Sequence, residues 1–567
     1  MTMLAGRGGF GGGLRAKHRP APRHLARQQT AMADRMAVEQ QVRAEARQAA
    51  RALHDAMTAV DAAVAEESWA RTNGNGAVDT VPGDGLRSKM AGGVRWSLLA
   101  TLGTLAGRMG FVVVLMRLLG PANYGIVGQA TVYVTVAWIF LNFGMPVTLI
   151  QRRRLDRTDI GTAFTLTMMS GVVLGAATAL GAPLLAAFFQ TDELTSVMRV
   201  LSVSLVLKAV AVVPTALLNR EMRFKALGLV EVTSTVVSGG IAILAAMNGA
   251  GYWALVLQML VLDVIYLAMI ARAAGIPVPA WSHTAAHRLW SFSSRMMGSD
   301  VINYLSNNGD KLLIARFLGA TPLALYNLAG RVLIVPIETL GKTADRVILP
   351  MFSRLQDDRH RVAHLFLEAT ATVALFVSLP MALVILCAPL GVPLAFGDAW
   401  DGAVLPLQLL AAHSAFFLLV ALTNPVVQAA GRADWEFRWS LFTTIIAVVT
   451  FVIGLQWGIT GVAACFLVQG ALLNPIRFVM VQRLIPVATT SYLRQLVPAA
   501  TSTGVLVGVW LVVAAALRGR VGDVGVLGGA SLAASASSLV SMRILWWADL
   551  RRQLDFLRQV VRPRSAS

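Results

Sequence analysis

Charge is scarce in this chain. Asp, Glu, Lys and Arg make up 14% of 567 residues while 56% are hydrophobic, and an ordinary soluble domain carries about a quarter charged. A soluble globular fold is therefore excluded. Cysteine is almost absent: Cys387 and Cys465 are the only two, both within or beside apolar stretches. That rules out a disulfide framework or a cysteine metal site. The first 90 residues hold no apolar core segment of the kind a cleavable signal peptide needs, so none is expected. Residues 1–30 carry six Lys or Arg and no acid. Enzyme signatures are missing as well, with no HExxH, Walker loop, GxSxG or CxxC pair. The histidine pairs His283/His287 and His360/His364 lie in loops between apolar segments, and with His413 they do not compose a ligand set. No enzyme activity, cofactor or metal is expected.

Long apolar runs are abundant. Stretches of about 20 residues recur from 96 to 547, each enough to cross a hydrocarbon core about 30 Å thick. A membrane barrel would instead show roughly ten-residue alternating segments. The predicted fold is thus an all-α polytopic membrane protein of about fourteen spans: 96–116, 125–150, 161–187, 197–218, 227–247, 251–271, 292–314, 325–349, 366–390, 403–427, 440–457, 460–481, 497–517 and 524–547. Loops 151–158, 219–225, 272–288, 351–365 and 482–494 are rich in Arg, whereas 190–194, 248–251 and 397–402 carry no Lys or Arg. The excess of cations on one side predicts that both termini are cytoplasmic in a bacterial inner or plasma membrane. The formal charge of +19 is spread through loops and tails. It reads as contact with anionic lipid headgroups rather than with nucleic acid.

One span is anomalous. Ser293–Gly319 has the length of a crossing but carries Asp300, Asn303, Asn307, Asn308, Asp310 and Lys311. On a helix Asp300, Asn303, Asn307 and Asp310 fall on one stripe less than a quarter-turn wide. A carboxylate facing lipid at mid-depth costs about 2.5–3.5 kcal/mol or more, so the stripe is expected to face protein or a watery cavity. Arg331, Glu338 and Lys342 mark a second stripe on the following span, and Arg108 is a lone cation within the first.

The chain also repeats itself. Arg117-Leu118-Leu119-Gly120 matches Arg316-Phe317-Leu318-Gly319, which aligns Thr101, Thr104 and Arg108 with Asp300, Asn303 and Asn307. A second match pairs GYWALVLQ (251–258) with GVAACFLVQ (461–469). Six spans per copy is an even number, so the copies enter the membrane from the same side as parallel repeats. The predicted organisation is a partly helical or disordered extension at 1–88, an N-lobe at 89–273, a linker at 274–290 and a C-lobe at 291–483. Two extra helices follow at 484–547, with a basic tail at 548–567. Two lobes about one axis leave a central cavity, the usual build of an alternating-access transporter.

Several stretches in order carry a family resemblance: RLLGPANYGI (117–126), LIQRRRLDRTDIGTAFTLTMMSG (149–171), ALLNREMRFKALGLVEV (216–232), NYLSNNGDKLLIARFLG (303–319) and GDAWDGAVLPLQLLA (397–411). From 90 to about 500 the chain resembles the multidrug/oligosaccharidyl-lipid/polysaccharide (MOP) exporter superfamily, in its polysaccharide-transport branch of lipopolysaccharide and exopolysaccharide flippases. The resemblance implies a flippase that carries a polyprenyl-pyrophosphate-linked oligosaccharide from the cytoplasmic to the outer leaflet. Polysaccharide polymerase or assembly proteins would be its partners, and H+ or Na+ its coupling ion. Arg108, Arg331 and Lys342 are then candidates for phosphate contact, and Asn303 and Asn307 for sugar hydroxyls. Asp300, Asp310 and Glu338 are candidates for ion coupling or for holding the cations. The alternatives are export of lipid II or of cationic drugs by another MOP branch, and a membrane-embedded glycan transferase. The short outer loops argue against the transferase.

Overall fold

The computed structural model describes residues 83–152, 155–333, 352, 358–547 and 551; for 83–108, 151, 291–296, 299, 303, 305–306, 417–421 and 433 that description covers the backbone alone. Glu338, Lys342, most of the 1–88 extension and nearly all of the 548–567 tail lie outside the described residues. Among the described residues there is no strand, only one isolated bridge between Arg518 and Val521. In hydrocarbon every backbone polar group must be satisfied within its own segment, and a helix does this.

The helices are α1 Gly83–Asn142, α2 Met145–Gln151, α3 Arg157–Phe189, α4 Leu194–Arg220, α5 Phe224–Met247, α6 Trp253–Ala274 and α7 His283–Phe317. Then come α8, described over 320–333, and α9 Arg359–Phe396. A 3-10 turn Asp398–Ala403 leads into α10 Val404–Ala421, α11 Thr423–Ala429, α12 Ala433–Gly454, α13 Gly458–Gln482, α14 Thr489–Leu517 and α15 Asp523–Leu545. Among the described residues, nine helical stretches are long and apolar enough to cross a membrane, and one of them, Asp434–Gln482, contains both α12 and α13. Large apolar side chains stand outward, Leu180 at 83% and Leu184 at 76% exposed, as expected where the surrounding solvent is lipid.

Several boundaries differ from the hydropathy reading. Spans 1 and 2 form one sixty-residue helix bent at Gly120, whose φ is 69°. Span 2 then breaks at Phe143 and Gly144 (φ 48° and 64°), just ahead of Pro146. Span 10 breaks at Leu422, between α10 and α11. Helices α7 and α9 run to 35 and 38 residues, about 50–57 Å at the helical rise. Hydropathy finds only the part of a helix inside the bilayer, and these two continue as capped, polar turns. The Ser282 hydroxyl accepts from the Ala285 amide at 3.4 Å, and the Asp358 carboxylate accepts from the Arg361 amide at 3.1 Å.

Packing gathers the helices into two groups. In the first, α3 lies on α4, α5 on α6, and α1 on both α4 and α5. In the second, α9 lies on α10, α10 on α13, and α12 on α13, with α14 and α15 stacked against α9. Helix α7 touches α1, α2 and α3 of the first group and also α12 of the second. The largest buried cluster runs through both groups and includes Met116, Leu141, Leu201, Ile314, Tyr326 and Trp400.

Candidate functional site

The seam between the groups is closed near the α1 bend. Trp400 is fully buried and donates from its indole nitrogen to the Met116 carbonyl at 3.1 Å. Its ring meets the Tyr124 ring edge-on, with centroids 5.9 Å apart. The Arg117 guanidinium donates to the Leu394 carbonyl at 3.1 Å. Gly125 sits so close to the start of α8 that a β-carbon there would lie 2.1 Å from the Ala320 carbonyl oxygen. Arg316 lies over the Phe188 ring at 5.3 Å, so both arginines of the repeated motif serve packing at this end.

Helix α7 runs down the first group from this seam. Gln129 donates to the Ala315 carbonyl at 3.0 Å and the Tyr304 hydroxyl donates to the Val132 carbonyl at 3.0 Å. Phe143 tilts against Trp290, centroids 5.3 Å apart. At the far end Arg288 pairs with Asp159 at 3.1 Å, and Arg152 approaches the same carboxylate at 3.8 Å.

The α7 stripe is divided by this packing. Asp310 is turned into protein, where the Tyr326 hydroxyl of α8 donates to it at 2.8 Å. Lys311 donates to the Asn308 side chain at 2.8 Å. Asp300 and Asn307 stay exposed. Arg331 on α8 is also exposed, its guanidinium carbon 5.8 Å from the Tyr124 ring centre. By helical rise, Asn307 is about 15 Å from the end of α7, Arg331 about 16 Å into α8, and Arg108 about 18 Å before the α1 bend. The backbone therefore places all three at similar depth. Exposed groups of this polarity on apolar helices belong against water or a polar ligand. Asn303 is placed by its backbone alone, on the same turn as Asn307.

Two further polar clusters emerge only in three dimensions. Lys208 of α4 and Ser204 one turn before it both donate to the buried Asp263 of α6. In the second group Arg477 of α13 is 1% exposed. It donates to Thr423 at 3.0 Å, to Asn424 at 2.9 Å and to Glu436, and it lies over the Trp439 ring at 5.4 Å. Neither cluster stands out as a sequence pattern. The available signal was a single charge in mid-span, the rule that singled out α7. Among the described residues no cluster of three or more His, Cys, Asp or Glu can hold a metal ion.

The model of the family described as "Polysaccharide biosynthesis protein" matches residues 114–405, just over half the chain. The protein belongs to this family. Lipopolysaccharide biosynthesis protein WzxC of Escherichia coli is 27% identical over 421 residues, covering 72% of this chain and 83% of that one. Succinoglycan biosynthesis transport protein ExoT of Rhizobium meliloti is 25% identical, covering 62% and 72%. Among solved structures, the Lipid II flippase MurJ in its inward closed conformation superposes with a TM-score of 0.61 at 12% identity, over 82% of this chain and all of that one. An inward-facing MATE transporter of the MOP superfamily follows at 0.51 and 16%, over 68% and 98%. The expected fold is thereby shown: a helical, multi-span membrane protein with the architecture of these solved structures, in a chain of the polysaccharide biosynthesis family.

Proposed function

We propose that the protein flips a polyprenyl-pyrophosphate-linked oligosaccharide across the bacterial inner or plasma membrane, from the cytoplasmic to the outer leaflet, for surface polysaccharide synthesis. The observation that supports the reading is the exposure of Asp300, Asn307 and Arg331 on the long helices α7 and α8 in a chain of this family. In this reading a central cavity between an N-lobe (89–273) and a C-lobe (291–483) takes the substrate by alternating access. Arg331, with Arg108 and Lys342, neutralises the pyrophosphate; guanidinium forks suit phosphate oxygens. Asn307 and Asn303 hydrogen-bond the sugar nearest the phosphate. Asp310 is committed to Tyr326, which leaves Asp300 and Glu338 as the acids through which H+ or Na+ couples to transport. Both termini are cytoplasmic, and a polymerase or assembly protein takes the product on the outer side.

Depletion of the protein tests this reading. Lipid-linked repeat units should accumulate, as read by mass spectrometry, while the matching surface polymer disappears, and the wild-type gene should reverse both. Unchanged lipid-linked glycans and surface polymer would sink the proposal, and efflux of cationic dyes would then be the next measurement.

A further inference from the structure

Within the first helical group lies a chamber of about 470 Å³, walled by α1, α4 and α6 and continuing past the Phe143–Gly144 break to Pro146. Its size falls in the range of small-ligand sites, roughly 300–1,000 Å³. The Lys208–Asp263 pair sits on its wall, about 21 Å along α4 and about 15 Å along α6, near the middle of both helices. From there the chamber extends toward Asn142 and Asn219, the end where the Arg-rich loops 151–158 and 219–225 lie.

The chemistry of the wall selects its occupant. An anion is disfavoured, because the ammonium that would attract it is already neutralised by Asp263. A metal cation is disfavoured too, since Ser204 and Lys208 engage the two carboxylate oxygens separately. A hydrocarbon tail would strand the spare N–H bonds of the Lys208 ammonium, at the cost of lost hydrogen bonds. What remains is a neutral ligand that presents hydroxyls on one side and apolar surface on the other, because Val134, Leu207, Val212, Met259 and Leu262 also line the chamber. Lys208 has two N–H bonds beyond the one given to Asp263. Thr131 and Thr135 spend their protons on the Val127 and Thr131 carbonyls, 2.8 Å each; Thr135 also meets the Tyr304 hydroxyl of α7, which leaves Thr131 as the acceptor on the chamber wall. The Asn142 carboxamide has its Oδ1 buried without a partner. Trp138 and Tyr266 contribute aromatic surface on which the C–H face of a sugar ring can lie. We infer that this chamber is a sugar-binding subsite, receiving ring hydroxyls of the transported glycan through Lys208 and Thr131.

This assignment rests on the proposed flippase reading and sharpens it, because it separates the places where two parts of one substrate are held. The pyrophosphate end meets the cations at the Arg331 level, and the sugars enter the first group rather than lying only along α7. The Lys208–Asp263 pair is then a polar fixture of the sugar site, held by the carboxylate so that its spare donors stay in place.

Photo-crosslinking in cells whose surface polymer depends on the plasmid-borne protein tests the assignment. A diazirine-bearing amino acid is introduced separately at Leu262 in the chamber wall, at Asn307 on α7 and at the lipid-facing Leu180, which is 83% exposed. The probe is the cell's own lipid-linked glycan, and adducts are read as hexose-bearing peptides by mass spectrometry. The expected result is a glycan adduct at Leu262 and none at Leu180. Adduct yield per folded protein should fall about tenfold in the charge-free double variant Lys208→Met/Asp263→Asn, and a fewfold in Thr131→Val, by loss of one or two hydrogen bonds. Thermal melting of each variant separates misfolding from lost binding, and a purely structural pair would leave the adduct-to-protein ratio of Thr131→Val unchanged. Adducts at Asn307 but not at Leu262, with polymer export intact, would overturn the chamber assignment and leave the flippase reading standing. Failure of the wild-type protein to restore polymer would overturn both.

Discussion

Arg477 and Arg331 are both arginines in apolar helices, yet they are answered in opposite ways. Arg477 is enclosed, with Thr423, Asn424 and Glu436 taking its donors and Trp439 stacked on its plane. Removing one member of such a set leaves a buried charge behind. Glu436→Gln should therefore lower stability by about 3–5 kcal/mol, read as a fall in melting temperature of the purified protein. Arg477→Met, which removes the charge itself, should cost less than Glu436→Gln. Arg331 is exposed and, among the described residues, rests against Tyr124, over its ring and within reach of its hydroxyl; such exposed contacts are worth about 0.5–1 kcal/mol. Arg331→Gln should therefore leave the unfolding free energy within about 1–2 kcal/mol of wild type. Polymer export should nevertheless drop by about tenfold or more, the loss of a charge-assisted hydrogen bond to phosphate. A variant that melts early and still exports would reverse the assignment.

At the scale of the element, the two copies of the repeated motif end alike. Gly120 at φ 69° bends α1 and Gly319 at φ 93° closes α7. A side chain at such positive φ costs about 1–3 kcal/mol, so Gly120→Ala and Gly319→Ala should each lower stability by about that much, read as a fall in melting temperature. Gly125 is glycine for a different reason, the Ala320 carbonyl oxygen 2.1 Å from where its β-carbon would be. Gly125→Ala should disrupt the α1–α8 contact, costing about 1–3 kcal/mol. Gly110→Ala, in the same helix with nothing within 4 Å, should fold normally, and equal loss in both would refute the close-approach argument. This motif shows how much of the fold sequence can carry. Apolar runs and glycine punctuation reveal the crossings, and the clustered charges of 300–311 mark α7 because one helix holds them all. The pairing of Lys208 with Asp263 is not visible in this way. Each is one charge among about twenty apolar residues, 55 positions apart, and only tertiary packing joins them. Asp310 and Asn307 share a face in helical projection, yet Tyr326 claims Asp310, and no periodicity argument foresees a partner on the next helix. The breaks at Phe143–Gly144 and Leu422 did leave a trace, since Pro146 and Pro425 follow them closely.

For the molecule as a whole, the two ends of the seam are built for different movements. Near the α1 bend the contacts join the groups directly: Arg117 to Leu394, Trp400 to Met116, Gly125 against Ala320. Alternating access requires such contacts to open. At the other end, Asp159 and Arg288 adjoin the connection between α6 and α7. That connection is itself pinned to α3: Thr165 donates to the Ala280 carbonyl at 3.0 Å, and Gly161 packs against Val278 and Ala280. A pair beside a short tethered linker moves little, as a hinge does, while the opposite end separates. Cysteine pairs bridged by a short bismaleimide distinguish the two, with Cys387 and Cys465 first replaced by alanine. Bridging Arg117→Cys to Leu394→Cys should halt polymer export and make lipid-linked glycan accumulate, only after the reagent is added. Bridging Asp159→Cys to Arg288→Cys should leave export near the level of the unbridged variant. If the second bridge also stops export, α7 slides along α3 during transport. The moving boundary would then run between α7 and α3, rather than where α1 meets α8 and α9.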